Sequence, residues 1–146
     1  MTALTTVGLV QRDERASVVS LLEHNHLPVA GVSEVWSTTL VARAEGVVVG
    51  SAALELYGDG ALLRSVAVSN DHRGQGIGQG LTAAALQLAR ERGASDVYLL
   101  TTTAEGFFPK FGFEPIARDQ VPPSVRTSVE FTSACPASAV VMRRHL

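Results

Sequence analysis

The chain has 146 residues, a mass of 15.4 kDa and 46% hydrophobic residues, which is enough for one domain with a sizeable core and too little for a second. Charged residues make up 18% of the chain and the formal net charge is -2, which excludes the basic surface that a nucleic-acid backbone requires. The one cysteine, Cys135, excludes an internal disulfide and has no second thiol at zinc-site spacing. We therefore expect a single domain over residues 1–146, with no nucleic acid and no metal among its partners.

The beginning of the chain lacks the features of a targeting segment. Residues 1–15 contain no basic leader, no long apolar run and no small-residue cleavage site. Elsewhere, no stretch approaches the roughly 20 apolar residues that a membrane-spanning helix needs. The sequence therefore predicts a cytoplasmic protein with no membrane partner.

Hydrophobic spacing predicts one helix and then three antiparallel strands in the first half of the chain. Apolar residues recur at helical spacing over residues 13–22. Residues 23–37, which include Pro28 and Gly31, predict a second short helix or an ordered loop. β-Branched and aliphatic residues then dominate three runs separated by glycine-containing turns: residues 39–44, 47–57 and 61–68.

The second half alternates between strand and helix patterns. A glycine-rich loop over residues 74–80 leads into an amphipathic helix that includes Ile77 and is capped by Gly93, and a buried strand follows over residues 97–101. Because a helix joins two strands of one sheet, we expect those strands to be parallel. The remaining patterns predict a short helix, a strand, a helical turn or loop and a closing strand, at residues 104–111, 113–117, 122–123 and 139–143. The fold class is α/β (α+β).

The glycine loop indicates an anion site. A strand that ends in Val66-Ala67-Val68 runs through Arg73-Gly74-Gln75-Gly76-Ile77-Gly78 into a helix whose first amides have no helical partner. Glycines remove the side chains that would keep a diphosphate from the backbone, and Arg73 adds a positive charge. This pattern favours a pyrophosphate site, although a tight strand-to-helix turn without a ligand has the same glycines.

Two other phosphate motifs are excluded. No Gly-Lys-Ser or Gly-Lys-Thr is present, so the loop of nucleotide triphosphatases is absent. Residues 78–83 match the loose dinucleotide fingerprint, but this match begins inside the helical pattern and follows three antiparallel strands. We interpret it as a coincidence.

Two motifs in order resemble those of the GNAT superfamily of N-acetyltransferases. Arg73-x-x-Gly76-x-Gly78 resembles its acyl-CoA signature, and Thr101 through Ala104 and Phe107-Phe108 to Gly112-Phe113 resembles its second motif. The resemblance covers roughly residues 61–117. It implies a mixed, mostly antiparallel sheet with a central splayed parallel strand pair and helices on both faces. It also implies acetyl-CoA as the acetyl donor, bound by Val66, Ala67, Val68, Arg73, Gly74, Gln75, Gly76, Ile77, Gly78, Gln79, Thr101, Ala104, Phe107 and Phe108.

Within the superfamily, residues 99–104 and the tail over residues 140–142 resemble the acetyltransferase domain of N-acetylglutamate synthases. Leu62-Leu63-Arg64-Ser65, together with Glu130-Phe131 and Cys135-Pro136, resembles the small acetyltransferases associated with arsenic resistance. This resemblance implies a small-molecule amine as acceptor, such as an acidic amino acid or a toxic arsenic- or phosphorus-containing analogue. Homodimers are common in the superfamily, which implies a homodimer as one arrangement of this chain.

The chain departs from the superfamily where catalysis is concerned. Phe108 stands where a tyrosine often protonates the departing thiolate, and phenylalanine has no proton to donate. Thr101 occupies the position of an asparagine, and Leu62 that of a glutamate base. These departures leave a second function open, a non-catalytic acetyl-CoA-binding regulatory module of the same fold.

Two charged strand residues are candidates for the acceptor's chemistry. Glu55 lies on the predicted strand next to the glycine-loop strand and is our candidate general base, with an exposed strand glutamate as the alternative. Arg64 is the candidate partner of an acceptor carboxylate, and simple strand alternation places it on the face of Val66 and Val68. Tyr57 and Tyr98 are candidates for the missing acid.

Overall fold

A computed structural model describes residues 5–58, 60–135 and 137–146. Asp59 of a predicted turn and Pro136 of the tail resemblance lie outside the described residues. Within them the chain forms two α-helices and seven strands: β1 (Thr5–Leu9), α1 (Arg15–His24), β2 (Thr39–Ala44), β3 (Val47–Tyr57), β4 (Gly60–Val68), α2 (Ile77–Glu91), β5 (Asp96–Thr101), β6 (Glu114–Ile116) and β7 (Val140–His145).

All seven strands form one sheet in the order β1-β2-β3-β4-β5-β7-β6. Every neighbouring pair is antiparallel except β4 and β5, which are parallel. The parallel pairing joins only Gly60–Leu62 of β4 to Asp96–Tyr98 of β5, and beyond these residues the two strands separate. The predicted mixed, mostly antiparallel sheet with a splayed parallel pair is therefore confirmed.

The two helices cover opposite faces of this sheet. Leu81 and Ala85 of α2 pack in a cluster with Leu54 of β3, whereas Val18 and Leu22 of α1 belong to a second cluster on the other face. The predicted helices on both faces are confirmed. Among the described residues, neither helix has the length and apolar character needed to cross a membrane.

A bulge in β4 changes which side chains share a face. Ser65 has φ of 58°, and the register between β3 and β4 shifts at this point. As a result Val66 packs in the α2 cluster, while the Arg64 guanidinium donates to the carbonyl of Ala30 in the segment after α1. The expectation that Arg64 and Val66 share a face is wrong, because simple alternation does not count the extra residue of a bulge.

The ends of α2 follow the glycines. Gly76, at the N-cap, has φ of 80°, and Gly93, after the last turn, has φ of 85°. The amide of Gly93 donates to the carbonyl of Arg90, and that of Ala94 donates to the carbonyl of Ala89. The cap predicted at Gly93 is confirmed.

Three segments differ from the sequence-based expectations. The edge strand β1 has no strong pattern because Val7 and Leu9 are exposed, and the sequence did not predict it. Residues 104–111 form turns that end in a short 3-10 helix, Phe108–Phe111, instead of an α-helix. Glu130–Ala134 forms a π-helical turn that no periodicity indicated.

The contact between β3 and α2 predicts the effect of a bulky residue at Gly50. A Cβ at this position would lie 2.8 Å from Leu81 Cδ1 and 3.1 Å from the Ala67 carbonyl oxygen. Gly50→Val should therefore lower stability by roughly 1–3 kcal/mol, measured as a lower Tm by circular dichroism. Gly80→Ala is the matched control, since a Cβ there meets nothing within 4 Å and alanine favours the helix. An unchanged Tm for Gly50→Val would contradict the close packing.

Candidate active site

A cleft of about 1050 Å³ opens where β4 and β5 separate. Its walls are the second half of β4, the end of β5 and the residues after it, the first turn of α2, and the segment that follows α1. Residues from the π-helical turn and its C-terminal end close one side. Because several segments distant in sequence meet here, the cleft is the candidate site.

One end of the cleft carries the glycine loop. No described residue accepts a hydrogen bond from the main-chain amides of residues 74–79, which open α2. Unpaired amides at a helix N-terminus bind anions, because the helix dipole adds to their partial positive charge. The Arg73 guanidinium donates to Asn25 Oδ1 and to the Val68 carbonyl oxygen, so the loop is tied to the end of α1 and to β4.

The predicted coenzyme residues lie together along this cleft. All of them line it except Gln75, which is exposed on the loop. The glycine loop and the segment after β5 meet at Gly78 and Phe107. A Cβ at Gly78 would lie 3.4 Å from Phe107 Cζ, so the glycine allows the two segments to pack closely. Thr101 Oγ1 accepts a hydrogen bond of 2.9 Å from the amide of Ala104 and so shapes the loop after β5. Their role in coenzyme binding stays a prediction.

Arg64 lies in the wall of the cleft with its guanidinium held by the protein. It is 3% exposed, and its Nη1 donates to Glu55 Oε2 at 2.8 Å. Its Nη2 donates to the carbonyl oxygens of Ala30, at 2.7 Å, and Pro28, at 3.3 Å. Gly31 permits this contact, since a Cβ there would lie 3.0 Å from Nη1.

Glu55 is buried behind Arg64 and does not line the cleft. Its two carboxylate oxygens accept hydrogen bonds from Tyr57 Oη and from Arg64. Burial, and next the bond to Glu55, raise the pKa of Tyr57 to about 12, so the phenol keeps its proton at neutral pH. Neither Tyr57 nor Tyr98 lines the cleft. The role of Glu55 as base stays a prediction.

Glu130 is a second buried carboxylate, and the sequence reasoning assigned it no chemistry. It is 6% exposed and lines the cleft from the π-helical turn. Its Oε1 lies 3.6 Å from Arg64 Nε, and its Oε2 accepts a hydrogen bond of 3.1 Å from Cys135 Sγ. The available signal was weak: Glu130 has the apolar residues Val129 and Phe131 as direct neighbours, but polar residues surround all three.

The environment of Glu130 disfavours the ionised form of its carboxylate. Burial raises the pKa of Glu130 although Arg64 and Cys135 both act to lower it, and Glu55 raises it further. The pKa of Cys135 is raised to about 12, first by burial and then by its hydrogen bond to Glu130. The thiol therefore stays protonated and donates to the carboxylate at neutral pH.

Histidines at the cleft do not form a metal site. His26, with φ of 57°, and His72 both line the cleft, and His72 Nδ1 lies 2.8 Å from Ser69 Oγ. In the described part of the chain, no group of three or more His, Cys, Asp or Glu side chains is arranged to hold a metal ion.

Comparison with known proteins points to one family. Residues 35–115 match the model of the acetyltransferase (GNAT) domain. Mouse N-acetyltransferase 8 is 45% identical over 67 residues, 42% of this chain and 30% of that protein. An uncharacterised N-acetyltransferase of Chlorobaculum tepidum is 34% identical over 86 residues, 58% of this chain and 55% of that protein. The matched regions thus span only 30% and 55% of these two relatives' own lengths.

Solved structures share the fold. N-acetylglutamate synthase from Neisseria gonorrhoeae, complexed with coenzyme A and N-acetyl-glutamate, has a TM-score of 0.84 at 21% identity, over 100% of this chain and 36% of that chain. A Mycobacterium tuberculosis protein in complex with CoA has a TM-score of 0.83 at 24% identity, over 97% of this chain and 99% of that chain. At these identities the likeness shows the fold alone.

The two buried carboxylates predict opposite effects on stability. Glu55→Gln should cost roughly 1.5–3 kcal/mol at pH 8, because it weakens a charge-assisted hydrogen bond to Arg64. Glu130→Gln should raise Tm at pH 8, because ionised Glu130 is unfavourable in the folded state.

The effect of Glu130→Gln has a defined pH dependence. A raised folded-state pKa contributes stability below the ordinary value of 4.5, and this contribution is lost as pH rises through the raised pKa. The Tm advantage of the variant should therefore shrink as pH falls from 8 to 5 in thermal unfolding. Glu114→Gln, on exposed β6, is the control. A loss of Tm at pH 8 equal to that of Glu55→Gln would contradict the assignment.

Proposed function

This chain belongs to the GNAT acetyltransferase family, and from that premise we propose that it transfers an acetyl group from acetyl-CoA to the amine of a small molecule. The observation that carries the proposal is one continuous cleft. It joins the amides at the start of α2, which have no acceptor among the described residues, to the gap between β4 and β5. The first feature suits a pyrophosphate, and the second suits an extended chain. Coenzyme A has both groups in one molecule.

The pyrophosphate is proposed to bind at residues 74–79, with Arg73 beside it. The pantetheine would then follow β4, whose edge has no partner strand after Leu62 in the described residues. Unpaired backbone groups at a strand edge can bond the amides of an extended ligand as they would bond another strand. One such amide could also stabilise the oxyanion that forms on the thioester.

Positioning supplies much of the proposed catalysis. A neutral amine attacks the thioester carbonyl directly, and holding the two partners in line can contribute roughly 7 to 11 kcal/mol. Phe108 packs edge-on against Phe107 and Phe113, with centroid distances of 5.1 and 5.7 Å, and it forms a wall of the cleft. Its inability to donate a proton removes one contribution to the rate and leaves positioning intact.

We propose that the acceptor is an acidic amino acid or an arsenic- or phosphorus-containing analogue. Arg64 is its candidate carboxylate partner, since the acceptors that Nη2 has among the described residues are the neutral carbonyls of Pro28 and Ala30. An anionic oxygen accepts a stronger, charge-assisted bond and could take the place of a carbonyl. Glu55 would hold the guanidinium in position during the exchange.

The alternative is a regulatory module that binds acetyl-CoA without turnover. Phe108 and Leu62, which stand where relatives often carry an acid and a base, favour it. Arg64 and Glu130, which both line the cleft, favour the enzyme. Homodimer formation and a cytoplasmic location also stay predictions.

Arg73→Ala tests the coenzyme site. Loss of a cation next to the pyrophosphate should weaken coenzyme A binding roughly 10- to 100-fold, since a hydrogen bond to a charged group contributes about 1.5–3 kcal/mol. Isothermal titration calorimetry gives the dissociation constants. Arg92→Ala is the matched control, because Arg92 is exposed beyond the other end of α2. Absence of binding heat with the unaltered protein, or equal affinities for both variants, would contradict the site.

An acceptor panel tests the activity. Release of free thiol from acetyl-CoA is followed with L-glutamate, L-aspartate, L-glutamine, and analogues that carry a phosphorus or arsenic acid in the side chain. We expect one acidic member to accelerate release above the rate without acceptor. Coenzyme binding with no acceptor-dependent release by any amine would favour the regulatory module.

A further inference from the structure

We propose that Glu130 is the catalytic base that removes a proton from the acceptor's ammonium group, an inference that rests on the proposed acetyl transfer. The candidate from sequence, Glu55, and Glu130 flank the same guanidinium of Arg64. They differ in access to the cleft and in how fully their oxygens are bonded. Both differences favour Glu130.

Access comes first. Glu130 lines the cleft, together with Arg64 and Ser65 of β4, whereas Glu55 does not. A base must come within hydrogen-bond distance of the proton that it removes, directly or through one water. An amine in the cleft can meet this condition at Glu130 without any movement of the sheet.

The second difference is the number of hydrogen bonds that the carboxylate oxygens of Glu55 and Glu130 accept. In Glu55, one oxygen accepts from Tyr57 and the other from Arg64. In Glu130, Oε2 accepts from Cys135, while Oε1 has no hydrogen-bond donor among the described residues and only the longer ion pair to Arg64 Nε at 3.6 Å. An incoming ammonium would satisfy Oε1, since a buried carboxylate oxygen gains from a charged donor.

The groups that face Glu130 are Arg64 on β4, Glu55 on β3 and Cys135 after its own turn. Burial raises the pKa of Glu130 above its ordinary value, Glu55 adds to this, and Arg64 and Cys135 act against it. A carboxylate with a raised pKa is a stronger base than an ordinary one. Above that pKa the carboxylate is ionised and attracts the ammonium.

The proton balance closes without a separate acid. Glu130 takes one proton from the ammonium, and the neutral nitrogen then forms a bond to the thioester carbon. In the tetrahedral intermediate the nitrogen is positive and still carries two protons. When the C–S bond breaks, the electron pair stays on sulfur and one nitrogen proton passes to the thiolate. The products are the amide and free coenzyme A, and Glu130 releases its proton to water.

This route needs no acid from Phe108 or Cys135, which both line the cleft. Phe108 has no proton to give, and a Cys135 thiol with a pKa of about 12 is a poor acid. Neither is needed when the attacking nitrogen supplies the proton.

The test is the pH profile of Glu130→Gln with the panel member that gives the fastest thiol release. At neutral pH, kcat/KM should fall 100-fold or more, while the dissociation constant for coenzyme A stays within about twofold. This loss of kcat/KM should shrink as pH approaches the pKa of the acceptor's amine. A larger fraction of the amine has then already lost its proton to water and needs no base. Thermal unfolding verifies that the variant folds. Glu114→Gln is the control for a charge change on the surface.

Three results would overturn the inference. Unchanged kcat/KM for Glu130→Gln would exclude the base, and an equal loss at every pH with intact coenzyme binding would assign Glu130 a purely structural role. A pH-dependent loss in Glu55→Gln but not in Glu130→Gln would return the role to Glu55. If no acceptor accelerates thiol release by the unaltered protein, the proposed acetyl transfer itself is contradicted. Failure of the proposed function can therefore be distinguished from failure of the inference about Glu130.

Discussion

After Leu62, β4 and β5 stop pairing, and the polar backbone of β4 on that side needs other partners. The two strands separate because they continue in different directions. β4 runs through Val68 into the loop that opens α2. β5 ends at Thr101, whose hydroxyl accepts a hydrogen bond from the amide of Ala104 in the turn that follows. A gap between strands is costly unless something fills it. Here it leads to the amides of residues 74–79, for which the described part of the chain offers no acceptor, and this continuity makes the cleft suited to one extended anionic ligand.

The bulge at Ser65 divides the functions of β4 between its two faces. Before it, Arg64 points to the side of α1, where carbonyls from residues 28 and 30 hold its guanidinium. After it, Val66 and Val68 pack toward α2. Without the extra residue, Val66 and Val68 would share the face of Arg64 and be lost from the α2 cluster. The bulge therefore lets β4 carry a buried cation on the side of α1 and apolar side chains on the side of α2.

Much of the fold could be predicted because its central elements carry strong local signals. The runs at 39–44 and 47–57 coincide with β2 and β3, and the glycines at 76 and 93 define the ends of α2. The elements that were missed have weak signals: β1 exposes Val7 and Leu9 at a sheet edge, and the turn at Glu130–Ala134 follows no helical or strand period. The clustering of the predicted coenzyme residues along one cleft could be anticipated, because a short contiguous loop holds many of them. The sequence did not indicate that Glu130 lies beside Arg64, because this contact joins positions 66 residues apart.

Two carboxylates beside one guanidinium illustrate how environment assigns different roles to the same functional group. Glu55 is bonded at both oxygens and lies away from the cleft, so its charge is committed to holding Arg64. Among the described residues, one oxygen of Glu130 accepts no hydrogen bond, and burial disfavours its ionised form, so a cation that enters the cleft would offset that penalty. The same charge that lowers the stability of the folded chain would therefore attract an ammonium group. For the proposed transfer, a zwitterionic acceptor would fit this pair better than a simple amine, because its carboxylate could approach Arg64 while its ammonium approaches Glu130.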